Sequence, residues 1–152
     1  MKRIGLFPGS FDPFTKGHEA VVRKSLSLFD QLIIGIGVNS RKEYLFKLEN
    51  RKKHILSLFS DEEKVTVEVY QELTVTFCKK IGATHIVRGL RDSKDFQYEK
   101  SIAHMNFQLA EIETVFLLTN QEFSAVNSSI IREMQLNGAD ISSFVTSPQL
   151  LV

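Results

Sequence analysis

The run Leu32-Ile33-Ile34-Gly35-Ile36-Gly37-Val38 is the longest uninterrupted apolar stretch in the chain, and it limits what can be built around it. It falls far short of the about 20 residues that cross a bilayer. A strand with one wet face alternates apolar and polar residues, whereas this one is apolar at every position. Both of its faces are therefore predicted to be covered, as in a parallel sheet with helices on either side.

The flanking sequence supplies those helices and further strands. Ile4 to Phe7 reads as a first strand and Gly17 to Phe29 as a helix, with Val22, Leu26 and Phe29, flanked by Val21 and Leu28, forming its apolar stripe. Gln31 to Val38 is the second strand. A polar loop, Asn39 to Lys47, leads to a helix over Leu48 to Phe59. Lys64 to Tyr70 alternates as a strand, Val75 to Ile81 reads as a helix stopped at Gly82, and His85 to Arg88 as a short strand. Ser93 to Ile112 is the longest predicted helix and Thr114 to Thr119 the fifth strand. A last helix, Asn127 to Leu136, ends at Gly138, and the tail is irregular around Pro148. This alternation predicts an α/β fold: a Rossmann-like, open, mostly parallel five-stranded sheet with helices on both faces. Ligands of such sheets lie beyond the carboxyl ends of the strands, where Ser10, Asn39, Tyr70, Arg88 and Asn120 fall.

With 152 residues the chain suits a single domain, residues 1–152, burying roughly two thirds of its extended surface. A formal net charge of +1, with 24% charged residues of both signs, gives no bulk electrostatic case for nucleic acid or an anionic membrane, so any phosphate chemistry must be local. Met1-Lys2-Arg3 followed by apolar residues begins like a signal peptide, but Pro8, Gly9 and Asp12 interrupt it. Cys78 is the sole cysteine, which leaves no internal disulfide and no cysteine metal cluster and fits a reducing cytoplasm.

The first strand runs into Pro8-Gly9-Ser10-Phe11-Asp12-Pro13-Phe14-Thr15-Lys16-Gly17-His18. Two glycines and two prolines turn the chain and deliver Thr-x-Gly-His to a helix start, where free N–H groups and a partial positive charge favour phosphate oxygens. Gly9 leaves room for a ligand, and Gly17 lets the backbone approach one. Thr15 and His18, three residues apart, are predicted to meet the same ligand. A lone histidine is usually structural, but one placed here can donate to a developing phosphate charge. His54, His85 and His104 lack that setting, and no pair of histidines has zinc-site spacing.

Gly35-Ile36-Gly37 lacks the third glycine of a dinucleotide fingerprint, and no P-loop sequence occurs. Arg88-Gly89-Leu90-Arg91 ends a strand with two guanidiniums, which either reach separate phosphate groups or anchor a surface loop through Asp92 and Asp95. Lys42 lies in the loop after strand two. Arg51-Lys52-Lys53-His54, the densest basic run, reads as a solvated helix face. Ser124 to Arg132 places hydroxyl and amide groups before a helix, as N-caps or as a second anion site that Arg132 reinforces.

In order and spacing, these segments from Phe7 to about Arg132 resemble the nucleotidylyltransferase superfamily, and within it the phosphopantetheine adenylyltransferase family. The resemblance implies transfer of AMP from ATP to 4'-phosphopantetheine, giving dephospho-coenzyme A and pyrophosphate, with Mg2+ bound to the ATP and a homohexameric assembly. It implies that Ser10, His18, Lys42 and Arg91 serve catalysis and that Ser10, Lys42, Thr74 and Arg88 bind the acceptor. It also implies that Ser10, Phe11, His18, Gly89, Leu90, Arg91, Glu99, Phe123, Ser124, Ala125, Val126, Asn127, Ser128 and Ser129 bind ATP. No metal ligand from the protein is implied. Asn127 stands where the family has a hydroxyl residue, and Thr74 where it has an apolar one. The alternatives are a nucleotidylyltransferase using another phosphate acceptor, such as nicotinamide mononucleotide or glycerol 3-phosphate, or a nucleotide-binding sensor without chemistry.

Overall fold

The computed structural model describes all 152 residues. Five strands, β1 (Ile4–Gly9), β2 (Gln31–Gly37), β3 (Val65–Tyr70), β4 (His85–Leu90) and β5 (Glu113–Leu118), form one sheet in the order β3-β2-β1-β4-β5. Every pairing is parallel, where the sequence predicted a mostly parallel sheet. The connecting helices are α1 (Lys16–Ser25), α2 (Leu48–Leu58), α3 (Thr74–Ile81) and α4 (Ser93–Ala110), followed by α5 (Ser128–Leu136). None is long and apolar enough to cross a membrane.

Alternation within the apolar strands divides the core. Leu32, Ile34 and Ile36 pack with Phe7, Val21, Val22, Ile55 and Phe59 on the face covered by α1 and α2. Ile33 packs with Leu6, Val75, Phe77 and Cys78 on the face covered by α3. Both faces of β2 are thus buried, as its unbroken apolarity requires. A third cluster, Phe46, Ile131, Ile141, Val145 and Leu151, folds the C-terminal tail against α5 and the loop before α2.

Boundaries shift for local reasons. α1 ends at Ser25 rather than near Phe29, and the Ser25 hydroxyl donates to the Val21 carbonyl within the last turn. β1 and β4 each run two residues beyond their predicted ends, to Gly9 and Leu90, because pairing with β2 and β5 continues there. α4 stops at Ala110 with Glu111 in the left-handed region, which leaves Glu113 free to begin β5. The tail closes with a short 3-10 turn over Pro148–Leu151.

The chain reverses its direction of travel across the sheet between β3 and β4, so β1 and β4 flank the switch point where open α/β sheets bind ligands. Their ladder is short, pairing only Gly5 with His85 and Leu6 with Ile86. Pro8 has no N–H to continue it. Arg88 bridges the gap instead, its Nη1 donating to the Pro8 carbonyl at 2.6 Å. The carboxyl ends of β1 and β4 therefore part around a guanidinium.

Candidate active site

A cavity of about 360 Å3 opens at this parting. Ser10, Phe11, Asp12, Thr15, Gly17 and His18 come from the turn after β1 and the start of α1; Lys42 comes from the loop after β2. Arg88, Gly89 and Arg91 come from the end of β4, Asp95 and Glu99 from α4, and Thr119, Phe123, Val126, Asn127, Ser128, Ser129 and Arg132 from the segment after β5. Most residues singled out in the sequence therefore converge on one space.

The turn after β1 is held on all sides. The Asp12 carboxylate accepts the backbone N–H groups of Leu45 and Phe46, at 2.8 and 2.9 Å. Arg132 Nη1 donates to the Asp12 carbonyl, and the Ser128 hydroxyl to that of Pro13. Lys16 N–H, in the first turn of α1, donates to the Phe144 carbonyl. Phe11 sits at φ 49°, a left-handed conformation that costs a bulky residue roughly 1–2 kcal/mol. Its ring packs 5.3 Å from Phe7 and 5.1 Å from Phe14. Gly9 is needed by this packing, since a Cβ there would lie 2.8 Å from the Phe11 ring. Gly9 also borders the cavity, where it is expected to leave room for a ligand.

His18 completes a capping box at α1. The Thr15 hydroxyl accepts His18 N–H at 3.2 Å, and His18 Nδ1 accepts Thr15 N–H at 3.0 Å. Thr15 is buried, its hydroxyl accepts within this cap, and the residue also borders the cavity. Because Nδ1 accepts, the proton of the neutral imidazole resides on Nε2. Desolvation among Phe7, Phe11 and Phe14, followed by the charges of Arg88 and then Arg91, lowers the His18 pKa to about 3. At neutral pH this side chain is an uncharged Nε2–H donor. Gly17 N–H has no protein acceptor and also borders the cavity.

The anchoring reading holds for Arg91 through Asp95, whereas Arg88 is anchored by Glu99 and Asp92 pairs with neither arginine. Arg88 forks onto Glu99, Nε and Nη2 donating to the carboxylate at 2.9 and 2.7 Å. Arg91 forks onto Asp95, with donors at 3.0 and 3.1 Å, and donates through Nη1 to the Val126 carbonyl. Each guanidinium has five N–H groups, so about two on each stay free for a ligand. The ion pairs fix the direction of the forks, and Glu99 acts here through Arg88. Hydrogen bonding to Asp95 raises the Arg91 pKa, and the Asp95 carboxyl is correspondingly lowered. Gly89 borders the cavity, but a Cβ there would meet Val21 Cγ2 at 2.7 Å, so α1 packing demands glycine.

Lys42 is exposed, makes no ion pair, and points Nζ at Ser10 Oγ, 3.3 Å away. At α5, Asn127 is an N-cap whose side chain accepts Ser129 N–H at 2.8 Å and Ile130 N–H at 3.4 Å. Two first-turn donors of the expected second anion site are thereby occupied, and the Ser129 hydroxyl accepts from Arg132 Nη2.

Some predicted positions lie elsewhere. Leu90 is buried and contributes only its carbonyl, which accepts the Thr119 hydroxyl at 2.6 Å. Ser124 and Ala125 are exposed in the turn before α5 and do not border the cavity. Thr74, the first residue of α3, has its hydroxyl 3.0 Å from Tyr70 Oη. It lines a neighbouring cavity of about 290 Å3 with Tyr98, Ile102 and Asn106, which meets the main one at Pro8, Gly9, Ser10, Arg88 and Glu99. The solvated-face reading of residues 51–54 fails for two of the four. Arg51 is 2% exposed and His54 0%, because helical spacing turns both inward, where Arg51 donates to the carbonyls of Ser10 and Phe46 and His54 Nε2 meets that of Thr146, leaving His54 Nδ1 without a partner. No role is expected of Asp12 from the sequence, where its only signal is its fixed place between Phe11 and Pro13, while Asp95 is expected only as a loop anchor for the arginines.

The free N–H of Gly17, two braced arginines and an unpaired lysine thus meet at the switch point of a parallel sheet. The model of the cytidylyltransferase-like family matches residues 6–134. A chain from Francisella tularensis, a bifunctional NMN adenylyltransferase/ADP ribose pyrophosphatase, superposes with a TM-score of 0.70 at 21% identity, covering 98% of this chain and 46% of that one. A chain from Vibrio parahaemolyticus superposes over the full length of both with a TM-score of 0.71 at 22% identity. The fold is thus that of the nucleotidylyltransferases, and the chain is a nucleotidyltransferase of the cytidylyltransferase-like family.

The closer likeness is narrower. The phosphopantetheine adenylyltransferase of Flavobacterium psychrophilum is 51% identical over 143 residues, 94% of this chain and 95% of that protein. The enzyme of the same name from Bacteroides fragilis is 45% identical over the same share of both. The chain belongs to the phosphopantetheine adenylyltransferase family, whose members act in coenzyme A biosynthesis.

Proposed function

We propose that the chain transfers AMP from ATP to 4'-phosphopantetheine within the cavity between β1 and β4, giving dephospho-coenzyme A and pyrophosphate. The observation that carries this reading is that one cavity is lined both by Lys42, Ser10, Arg88 and His18, with Lys42 Nζ 3.3 Å from Ser10 Oγ, and by Arg91 and the start of α5. The first group offers cations and a hydroxyl to an acceptor phosphate. The second offers donors to a triphosphate.

The acceptor phosphate is already an anion. One of its oxygens attacks the α-phosphorus of ATP in line, forming a P–O bond as the bond to the pyrophosphate oxygen breaks, and no general base is required. Lys42, Arg88 and the Ser10 hydroxyl hold the nucleophile. His18 Nε2–H and Gly17 N–H donate to oxygens of the α-phosphoryl group as charge develops. A neutral donor suits this task because it neither loses a proton to the phosphate nor pairs so tightly as to retain it. Arg91 and the segment from Phe123 to Ser129 receive the nucleotide and leaving pyrophosphate.

Mg2+ is proposed to enter with the ATP. The carboxylates bordering the cavity are committed, Asp12 to backbone N–H groups, Asp95 to Arg91 and Glu99 to Arg88, so phosphate oxygens and water would be its ligands. Bound there, the ion neutralises charge on the triphosphate.

Homohexameric assembly is likewise proposed. Supporting it, Phe96, Tyr98, Met105, Phe107 and Leu109 of α4 are exposed, between 42% and 70%, an apolar density that favours a covering subunit. The reducing cytoplasm expected from a lone, buried Cys78 is the proposed location.

The test is pyrophosphate release from ATP and Mg2+ with 4'-phosphopantetheine, pantetheine, nicotinamide mononucleotide and glycerol 3-phosphate offered separately. Turnover with the first alone is expected. Pantetheine lacks the nucleophile, and preference for either of the last two would overturn the choice of acceptor.

A further inference from the structure

Arg51, in the first turns of α2, is 2% exposed and makes no ion pair. Its Nε donates to the Phe46 carbonyl at 3.0 Å and its Nη1 to the Ser10 carbonyl at 2.6 Å. Its guanidinium lies 4.4 Å from the centroid of Tyr44, the ring over which Lys42 Nζ stands at 5.4 Å. The Tyr44 hydroxyl in turn accepts Asn39 N–H at 2.9 Å. One buried cation thus grips the residue that carries Ser10 Oγ and the ring that carries Lys42.

Burying an arginine without a carboxylate partner is costly, and an apolar side chain of similar volume would fill the space at less cost. What an apolar residue cannot do is donate in two directions in one plane. Asp12 ties the same two segments through Leu45 and Phe46 N–H, but it fixes their backbones beyond Ser10 and after Tyr44. Only Arg51 reaches the Ser10 peptide and the Tyr44 ring together. Free of it, Ser10 and Lys42 stand on separate loops with a single 3.3 Å contact between them.

We propose that Arg51 is a positioning residue that sets Ser10 and Lys42 as one unit for the acceptor phosphate, while contributing nothing to the ATP side. The inference rests on the adenylyltransferase reading above. Lysine at this position retains charge but cannot fork between the two carbonyls. Tyr44, partly exposed, offers a second route to the same coupling that leaves Arg51 in place.

The test uses initial rates of pyrophosphate release by the full chain, varying 4'-phosphopantetheine and ATP in turn, for wild type, Arg51→Lys, Tyr44→Leu and each combined with Lys42→Ala. Arg51→Lys is expected to raise the acceptor KM about tenfold and leave the ATP KM within about twofold. Tyr44→Leu is expected to raise the acceptor KM about twofold to fivefold, the worth of an exposed cation–π contact. Each effect should shrink when Lys42 is already alanine, since the residues act through one another. Equal rises in both KM values, a lowered melting temperature with unchanged KM values, or effects that multiply with Lys42→Ala would overturn the proposal. If Arg51→Lys does not fold, Tyr44→Leu decides alone by the same criteria. A wild type that releases no pyrophosphate with any phosphorylated acceptor would defeat the adenylyltransferase reading, and this proposal with it; a working wild type with unmoved acceptor KM in both variants defeats this proposal only.

Discussion

His18→Ala removes two separable things, and the structure assigns a size to each. The first is the Nδ1 acceptor for Thr15 N–H, half of a capping box; its loss costs about 1 kcal/mol of stability. The second is the Nε2–H donor at the cavity. Because Nδ1 accepts from the backbone and the imidazole is uncharged at neutral pH, the lost interaction is a neutral donor aimed at charge that exists chiefly in the transition state. Removing one such preorganised donor slows turnover by about 100- to 1000-fold. Substrate binding should change much less, since the ground-state α-phosphoryl group bears less charge at that oxygen. Turnover at saturating ATP and 4'-phosphopantetheine, with circular dichroism confirming the fold and a urea titration giving stability, separates the two losses. A folded variant within tenfold of wild-type turnover would refute the donor role, and a rate loss no larger than the stability loss explains would refute the separation.

Four further outcomes follow from the same geometry. Nitrogen NMR of the imidazole should find His18 neutral and protonated on Nε2 throughout pH 5 to 8; a midpoint inside that range would contradict the burial and arginine effects. Since its native pKa lies below the free value of 6.5, the unfolded chain binds that proton first, so stability falls as pH drops from 6.5 towards 3. Arg91→Ala should weaken ATP by roughly 10- to 150-fold, the loss of a charged hydrogen bond, with a smaller change for 4'-phosphopantetheine by titration calorimetry; equal losses would refute the division of the cavity. Gly89→Ala should cost about 1–3 kcal/mol in a urea titration, because its Cβ meets Val21 2.7 Å away on a helix that also carries His18; an unchanged midpoint would show that α1 is not packed as described.

Local patterns sufficed for much of this protein. The unbroken apolarity of β2 and the 3.6-residue stripes beside it follow from burial along one element, so they were legible residue by residue, as was the phosphate-friendly turn from Pro8 to His18. What the sequence could not determine depends on which distant groups arrive beside one another. The separation of β1 from β4 needs the strand order and the Arg88 contact to Pro8, 80 residues away. Arg51 and Lys52 are adjacent cations on one helix, yet only Arg51 turns inward to meet the carbonyls of Ser10 and Phe46. Thr15 and His18 matched a shared ligand by spacing, but the capping box decided that the hydroxyl faces the backbone and the imidazole faces the cavity. Periodicity records how much of a residue is buried; the partner that makes burying a polar group tolerable is supplied by the tertiary fold alone.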